Sequence, residues 1–171
     1  DTSVGFCGDR AILNQQTGVG TGTVTTYNKG YLRVEETTPK LTCENASDYY
    51  TASTSSNGNK SLKYSIGLIS VDEVMLAGHA GGIFDGFNNN TKLNKNGYLV
   101  SGYRIWTMTP AGSYNPYYVS RWVSFVFQFN EVGKIDDDYT NYSYYIRPVV
   151  NIRSGVTITG SGTKTDPYVV S

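Results

Sequence analysis

The sequence predicts a loop-rich, strand-dominated domain carrying one clear short helix. Three observations lead there. The 171 residues include fifteen tyrosines and nineteen glycines but only two methionines, and 16% are charged, too few for long solvent-exposed helices. Short β-branched and aromatic runs alternate with Gly, Asn, Ser and Thr, the punctuation of strands and turns. The clearest helix signal begins at Ser70 and has both a start and a stop. The length suits a single domain over residues 1–171.

In chain order, Ala11-Ile12-Leu13 and Tyr31-Leu32-Arg33-Val34 read as strands around a turn region at Gly18-Val19-Gly20-Thr21-Gly22. Residues 51–61 are rich in Ser, Thr, Asn and Gly and read as an exposed loop, followed by a short strand over Lys63–Ile69. Ser70 lies three residues before Glu73, the spacing of a capping box, ahead of apolar Val71, Val74, Met75 and Leu76. Gly78 is placed to end that helix in a left-handed conformation. The segment from Gly78 to Asn96 reads as a Gly/Asn-rich loop. Trp122 to Phe129 is an apolar strand with Phe125, Phe127 and Phe129 on one face and Ser124 and Gln128 on the other. These three Phe rings and Trp106 are expected inside the protein. Glu131-Val132-Gly133-Lys134 reads as a hairpin-like turn. Tyr144 to Ile152 is a strand that Pro148 confines to an edge or a bulge. Val156–Thr159 and Tyr168–Val170 flank a Gly-Ser-Gly turn.

Fourteen basic residues balance fourteen acidic ones, which removes the electrostatic footprint of a nucleic-acid or anionic-membrane binder. No apolar run reaches the roughly 18 residues of a bilayer span. Any leader or anchor is expected to have preceded Asp1, so membrane attachment would come only through such a segment. Cys7 and Cys43 stand alone without a CxxC spacing. They read best as one disulfide formed in an oxidising, extracellular compartment, the alternative being two unrelated buried thiols. A loop of that length would stabilise the fold by roughly 3–4 kcal/mol on the chain-entropy view.

The last third carries the sharpest functional signal. Tyr103, Trp106, Tyr114, Tyr117, Tyr118, Trp122, Tyr139, Tyr142, Tyr144 and Tyr145 are interleaved with Ser113, Asn115, Ser120, Arg121, Asp136, Asp137, Asp138, Asn141 and Ser143. Tyr and Trp supply rigid contact area at low entropic cost, and the small polar residues supply adaptable hydrogen bonds, the mixture used by antibody paratopes. The expected ligand contacts are Tyr103, Tyr114, Asn115, Tyr117, Tyr118, Arg121, Trp122, Asp138, Tyr139, Asn141, Tyr142 and Tyr144.

Five pieces in order resemble a family of exported proteins of Gram-positive bacteria found in pilin-like or cell-wall proteins. They are Cys7-Gly8-Asp9-Arg10, Gly67 through Gly78, the turn Trp106-Thr107-Met108-Thr109-Pro110, Ile146 through Ile152, and Gly160 through Val170. That family is similar to the C-type-lectin-like fold in its formylglycine-generating-enzyme variety, which also carries the variable proteins diversified by bacterial and phage retroelements. The resemblance implies an α+β class, with short twisted antiparallel sheets, one or two short helices and much irregular loop. It also implies that the positions between the Trp106–Pro110 turn and the Arg147-Pro148 strand form an exposed ligand-facing surface.

The remaining candidates read as structural. Asp136-Asp137-Asp138 could help bind a cation, but no calcium-loop pattern surrounds it, and a solvated hairpin loop is the better reading. His79 lacks an accompanying nucleophile motif and reads as a loop histidine without a catalytic role. The Arg147 guanidinium is expected to bridge carbonyls or carboxylates, and the Asp9-Arg10 pair beside the expected disulfide to play a similar structural role. The sequons at Asn45, Asn59, Asn89 and Asn141 are expected to be unused in a bacterial chain. No metal or cofactor is expected. An oxidase of the formylglycine-generating kind would need a reactive cysteine pair late in the chain, and none follows Cys43. The expectation is therefore a non-enzymatic, extracellular binding module for a protein or glycan on another cell or surface. A pilin-like structural subunit, whose aromatic face packs on its neighbours, is the alternative.

Overall fold

The computed structural model describes residues 1, 3–13, 26–53, 57–81, 99–100, 102–114, 123–129, 133–161 and 165–171. The class is mixed α+β, with small sheets and two helices among the described residues. The strands are β1 (Phe6–Cys7), β2 (Thr26–Tyr27), β3 (Tyr49–Tyr50), β4 (Gly67–Leu68), β5 (Ala80–Gly81), β6 (Ile105–Tyr114), β7 (Val123–Phe129), β8 (Lys134–Tyr139), β9 (Tyr145–Ile146), β10 (Pro148–Val149), β11 (Ile158–Thr159) and β12 (Val169–Val170). The helices are α1 (Lys29–Glu36) and α2 (Val71–Leu76), with a 3₁₀ turn over Ala46–Asp48.

The principal sheet runs in the order β2-β6-β7-β8-β5, with β9 also paired to β6. Its backbone is an antiparallel meander, β6 to β7 to β8; of the expected turn at 131–134, Lys134 opens β8, and residues 131 and 132 lie outside the described residues. Two pairings depart from the expected antiparallel pattern: β5 with β8 and β6 with β9 are parallel. Three two-stranded ladders surround the sheet: β1 with β3, β4 with β10, and β11 with β12.

Strand β6 organises the molecule. Ile105, Thr107, Thr109 and Ala111 are buried on one face, while Trp106, Met108 and Pro110 are half-buried on the other, the period of two that a strand imposes. The buried face meets both helices. Tyr31 and Val34 of α1, Val71, Val74 and Met75 of α2, and Ile69, Leu99, Ala111 and Ile135 form the core. Thr109 is buried because its hydroxyl does work there: Oγ1 accepts the Val71 amide at 3.0 Å, one of the first-turn N–H groups that a helix leaves unsatisfied. The expected turn at Trp106–Pro110 is thus a strand segment. Pro110 is tolerated because the β6–β7 register shifts on either side of it, the bulge that a residue without an N–H requires.

Helix α2 matches its sequence signal. Ser70 Oγ accepts the Glu73 amide, and the Glu73 carboxylate accepts the Ser70 amide, completing the capping box. Gly78 follows at φ 87°, the left-handed geometry expected after the last turn.

Helix α1 corrects the strand expected at Tyr31–Val34. Their i, i+3 spacing turns both side chains onto the core, and Arg33 projects instead into an ion cluster. There its Nε and Nη2 donate to the two oxygens of Asp72 at 2.7 and 2.8 Å. Asp9 lies 2.6 Å from Nη2, and the Lys40 amide adds a hydrogen bond to Asp72 at 2.9 Å. Burial opposes the Arg33 charge, but the hydrogen bonds and fields of Asp72 and Asp9 prevail, and its pKa is raised. The cluster ties α1 to α2 and to the segment following Cys7.

Other expectations are narrowed. Ala11-Ile12-Leu13 contributes only an isolated bridge, Ile12 with Asn28. Of Lys63–Ile69 only β4 is extended. Within the expected exposed loop, Thr51 and Ala52 are buried, and Ala52 bridges Leu62 in parallel. The expected loop after Gly78 opens with β5, and residues 82–98 lie outside the described residues. Trp122 lies outside them as well, as do the side chains of Phe125, Phe127 and Phe129. Pro148 sits on an edge ladder opposite Leu68, as its missing N–H predicts. The two arms flanking the Gly-Ser-Gly turn pair as β11 and β12.

Cys7 and Cys43 form a disulfide with Cα atoms 5.4 Å apart. Among the described residues no helix is long and apolar enough to cross a membrane.

Candidate functional site

An aromatic ridge of two groups flanks the β6–β9 pairing: Trp106 and the rings in contact with it lie toward the face of β6 turned away from the helices, and Tyr103 and Tyr145 form a separate pair beside Ile105. It is built where β6, β8 and β9 converge. The parallel β6–β9 pairing sets Tyr145 opposite Ile105, and the β8 strand brings Asp138 to the same region. Tyr103 and Tyr145 have ring centroids 4.6 Å apart. Trp106 meets Tyr144 at 4.7 Å. The row continues from Tyr144 to Tyr142 at 6.1 Å, nearly stacked, and from Tyr142 to Tyr139 at 5.9 Å. All four separations fall in the range where aromatic pairs attract beyond simple burial.

A polar triad holds the middle of the row. The Tyr144 hydroxyl donates to Asp138 Oδ2 at 2.5 Å. Arg104 Nη1 donates to the same hydroxyl at 3.2 Å and lies 3.6 Å from Asp138 Oδ2. The Arg104 guanidinium also sits 5.6 Å from the Tyr144 ring centroid, within cation–π reach. Burial first, then the hydrogen bond to Asp138, raises the Tyr144 pKa, so the phenol keeps its proton and its donor role. Asp138 Oδ1 accepts the Tyr139 amide at 2.9 Å. Asp138 and Arg104 fix Tyr144, and Tyr144 in turn meets Trp106 and Tyr142.

The outer rings are open to solvent: Tyr145 is 61% exposed, Tyr103 54% and Tyr142 50%. An exposed, pre-positioned aromatic row with a neutralised charge pair can do one thing well chemically. It offers flat apolar faces beside fixed hydrogen-bonding groups to something that approaches from outside.

Of the expected ligand contacts, Tyr103, Asp138, Tyr139, Tyr142 and Tyr144 are brought together here, with Asn141 exposed beside them. Tyr114 ends β6 opposite Val123; its side chain, and Asn115, Tyr117, Tyr118, Arg121 and Trp122, lie outside the described residues. Three members of the ridge were not among those contacts. Trp106, expected in the core, is half-buried on the ridge face instead, because β6 assigns its even-numbered residues to that side. Tyr145 stood in the aromatic run without being an expected contact, and Arg104 joins it only through the β6–β9 pairing, forty-one positions apart in the chain.

The structural candidates find partners. Arg10 Nε donates to Asp48 Oδ1 at 2.7 Å, and Arg147 Nη1 donates to the Leu99 carbonyl at 3.0 Å. Asp136-Asp137-Asp138 is not a hairpin loop: all three lie within β8, paired with residues 126–128 of β7. Burial, reinforced by the field of Asp136, raises the Asp137 pKa. Among the described residues no group of three or more His, Cys, Asp or Glu could hold a metal ion.

His79 is buried, not exposed in a loop, with 2% of its surface accessible. Its Nδ1 stands 3.3 Å from the Gly133 carbonyl; a carbonyl only accepts, so the Nδ1 carries the proton. Burial lowers the His79 pKa.

No family model, curated protein or solved structure matches this chain.

Proposed function

We propose that the protein is an extracellular binding module whose ligand face is the ridge formed by Tyr103, Tyr145, Trp106, Tyr144, Tyr142 and Tyr139 around Arg104 and Asp138. One observation carries this reading: half-exposed Tyr142 belongs to the run Trp106–Tyr144–Tyr142–Tyr139 that a buttressed polar triad holds in place, and the exposed pair Tyr103–Tyr145 adjoins it through Tyr145, the residue after Tyr144 in the chain. Aromatic anchors of this kind dominate binding energy when desolvated by a partner, and rigidity before binding lowers the entropic cost of capture. The Cys7–Cys43 disulfide supports an oxidising, exported setting. The mixed α+β class is compatible with a C-type-lectin-like domain of the kind that the five sequence pieces resemble, and we assign that fold as part of the proposal. The ligand is a protein or glycan on another surface, and the module is not an enzyme.

A second reading is favoured by a different observation. The terminal β11–β12 ladder exposes Ile158, Tyr168, Val169 and Val170 together, and isolated two-stranded ladders are marginal without a partner surface. This supports a pilin-like subunit that packs on its neighbours.

Two experiments separate the readings. A screen of the protein against arrayed glycans and immobilised surface proteins is expected to give a ligand that a Tyr103→Ala/Tyr142→Ala/Tyr145→Ala variant no longer binds. Sedimentation velocity is expected to show a monomer. Concentration-dependent assembly together with an empty screen overturns the binding module in favour of the subunit.

A further inference from the structure

A groove distinct from the ridge lies where the small ladders meet the outer face of β6. It encloses about 450 Å³, within the span of roughly 300–1,000 Å³ typical of small-molecule sites. Phe6 of β1 and Tyr50 of β3 form one side, Leu68 of β4 another, and Met108 and Pro110 of β6 also line it. Ile146, 64% exposed, stands at its rim.

The sequence builds this shape with a glycine. A Cβ on Gly67 would fall 2.4 Å from the Phe6 ring, so only glycine lets that ring lie against the β4 backbone and line the groove.

The lining is largely apolar, and among the described residues Arg10 is its one charged member. Its guanidinium packs 5.9 Å from the Tyr50 ring centroid. Nε donates to Asp48 and Nη2 donates to the Ser47 carbonyl at 3.2 Å. Among the described residues no acceptor takes the Nη1 hydrogens. The Asp48 side chain is 7% exposed and the Arg10 side chain 56%. The negative partner is therefore held behind the guanidinium, and solvent and the groove meet the positive side of the pair.

We propose that the groove binds a small amphiphile: one aliphatic or aromatic body with a single anionic head such as a carboxylate. The body lies on Phe6, Leu68, Met108, Pro110 and Ile146. The head accepts hydrogen bonds from the outward N–H groups of Arg10, whose fork suits a carboxylate. A purely neutral apolar occupant would leave those donors facing a ligand that cannot accept them.

Decanoate and decanol, both below their aggregation limits, serve as probes for calorimetric titration. The variants are Ile146→Trp, which narrows the groove at its rim, and Ile146→Glu, which sets a negative charge at that rim. Ile146 is exposed, so both are expected to fold, and near-UV circular dichroism checks this. Wild type is expected to take up one decanoate per chain, with decanol weaker by about three- to fivefold, the fold-change of a solvent-accessible ion pair. Ile146→Trp is expected to weaken uptake of both probes, and Ile146→Glu to weaken decanoate more than decanol. Absence of saturable uptake by wild type, equal affinity for the two probes, or undiminished uptake by folded Ile146→Trp each overturns the assignment. None of these results depends on what the aromatic ridge binds.

Discussion

Replacing Asp72 with alanine removes the acceptor at the centre of the ion cluster that joins α1, α2 and the segment after Cys7. Asp72 is 5% exposed and Arg33 14% at their side chains, so water cannot fully replace the lost partner. Removing one member of a buried pair costs about 3–5 kcal/mol. Here Asp9 remains 2.6 Å from Arg33 Nη2 and retains part of the compensation, which brings the ionic share to about 2–3 kcal/mol. The Lys40 amide also loses its acceptor, worth about 1 kcal/mol. The sum, about 3–4 kcal/mol, lowers Tm by about 6–16 °C for a chain of this size. Urea unfolding followed by tryptophan fluorescence, beside calorimetry, measures both quantities. In an Arg33→Ala background the same Asp72→Ala substitution is expected to cost at least about 1 kcal/mol less, because the charge it would strand is gone. A loss below about 1 kcal/mol, or a double variant that is fully additive, refutes the claim that this cluster fastens the two helices together.

Three further expectations follow from the same structure. A Cys7→Ser/Cys43→Ser variant loses roughly 3–4 kcal/mol relative to the oxidised protein, measured by the urea midpoint with and without reductant; equal midpoints contradict a stabilising disulfide. His79 is held neutral with its pKa lowered by burial, so its contribution to stability is complete above about pH 6.5 and is lost as the pH falls below that value. The midpoint is expected to fall between pH 7.5 and 5.5 in wild type and less steeply in His79→Gln, with parallel slopes as the contrary result. Ser70→Ala removes the capping-box acceptor of α2 and is expected to cost about 1 kcal/mol, seen as a lower urea midpoint; an unchanged midpoint shows that the cap adds nothing to what packing already holds.

The most local signals were the most legible. The Ser70/Glu73 box and Gly78 act within a few residues, so α2 could be read directly from them. The terminal ladder and the edge position of Pro148 followed from turn chemistry and a missing N–H. Helix α1 was hidden because Tyr31 and Val34 are aromatic and β-branched, residues that favour strands, and because Gly30 weakens a helix. Its helical state rests on core packing and on the remote carboxylates of Asp9 and Asp72, which a local window does not contain. The family resemblance marked Trp106–Pro110 as a turn, and the bulge that accommodates Pro110 within a strand is a property of the pairing with β7. For the ridge, composition identified the region and five of its rings or carboxylates. Trp106 and Tyr145 belong to that aromatic run but not to the expected contacts, and placing them there together with Arg104 required the register between β6 and β9, a contact between segments some forty residues apart.

The central claim is that the exposed tyrosines of the ridge are the ligand contacts. Its most direct test is the affinity of the ligand found by array screening for wild type and for the Tyr103→Ala/Tyr142→Ala/Tyr145→Ala variant, compared at equal folded fraction. A ridge acting as hot spot requires a loss of about 30-fold or more, the effect of removing even one aromatic anchor worth on the order of 2 kcal/mol. Binding retained within about twofold by the folded variant contradicts the account and moves the ligand face elsewhere on the molecule.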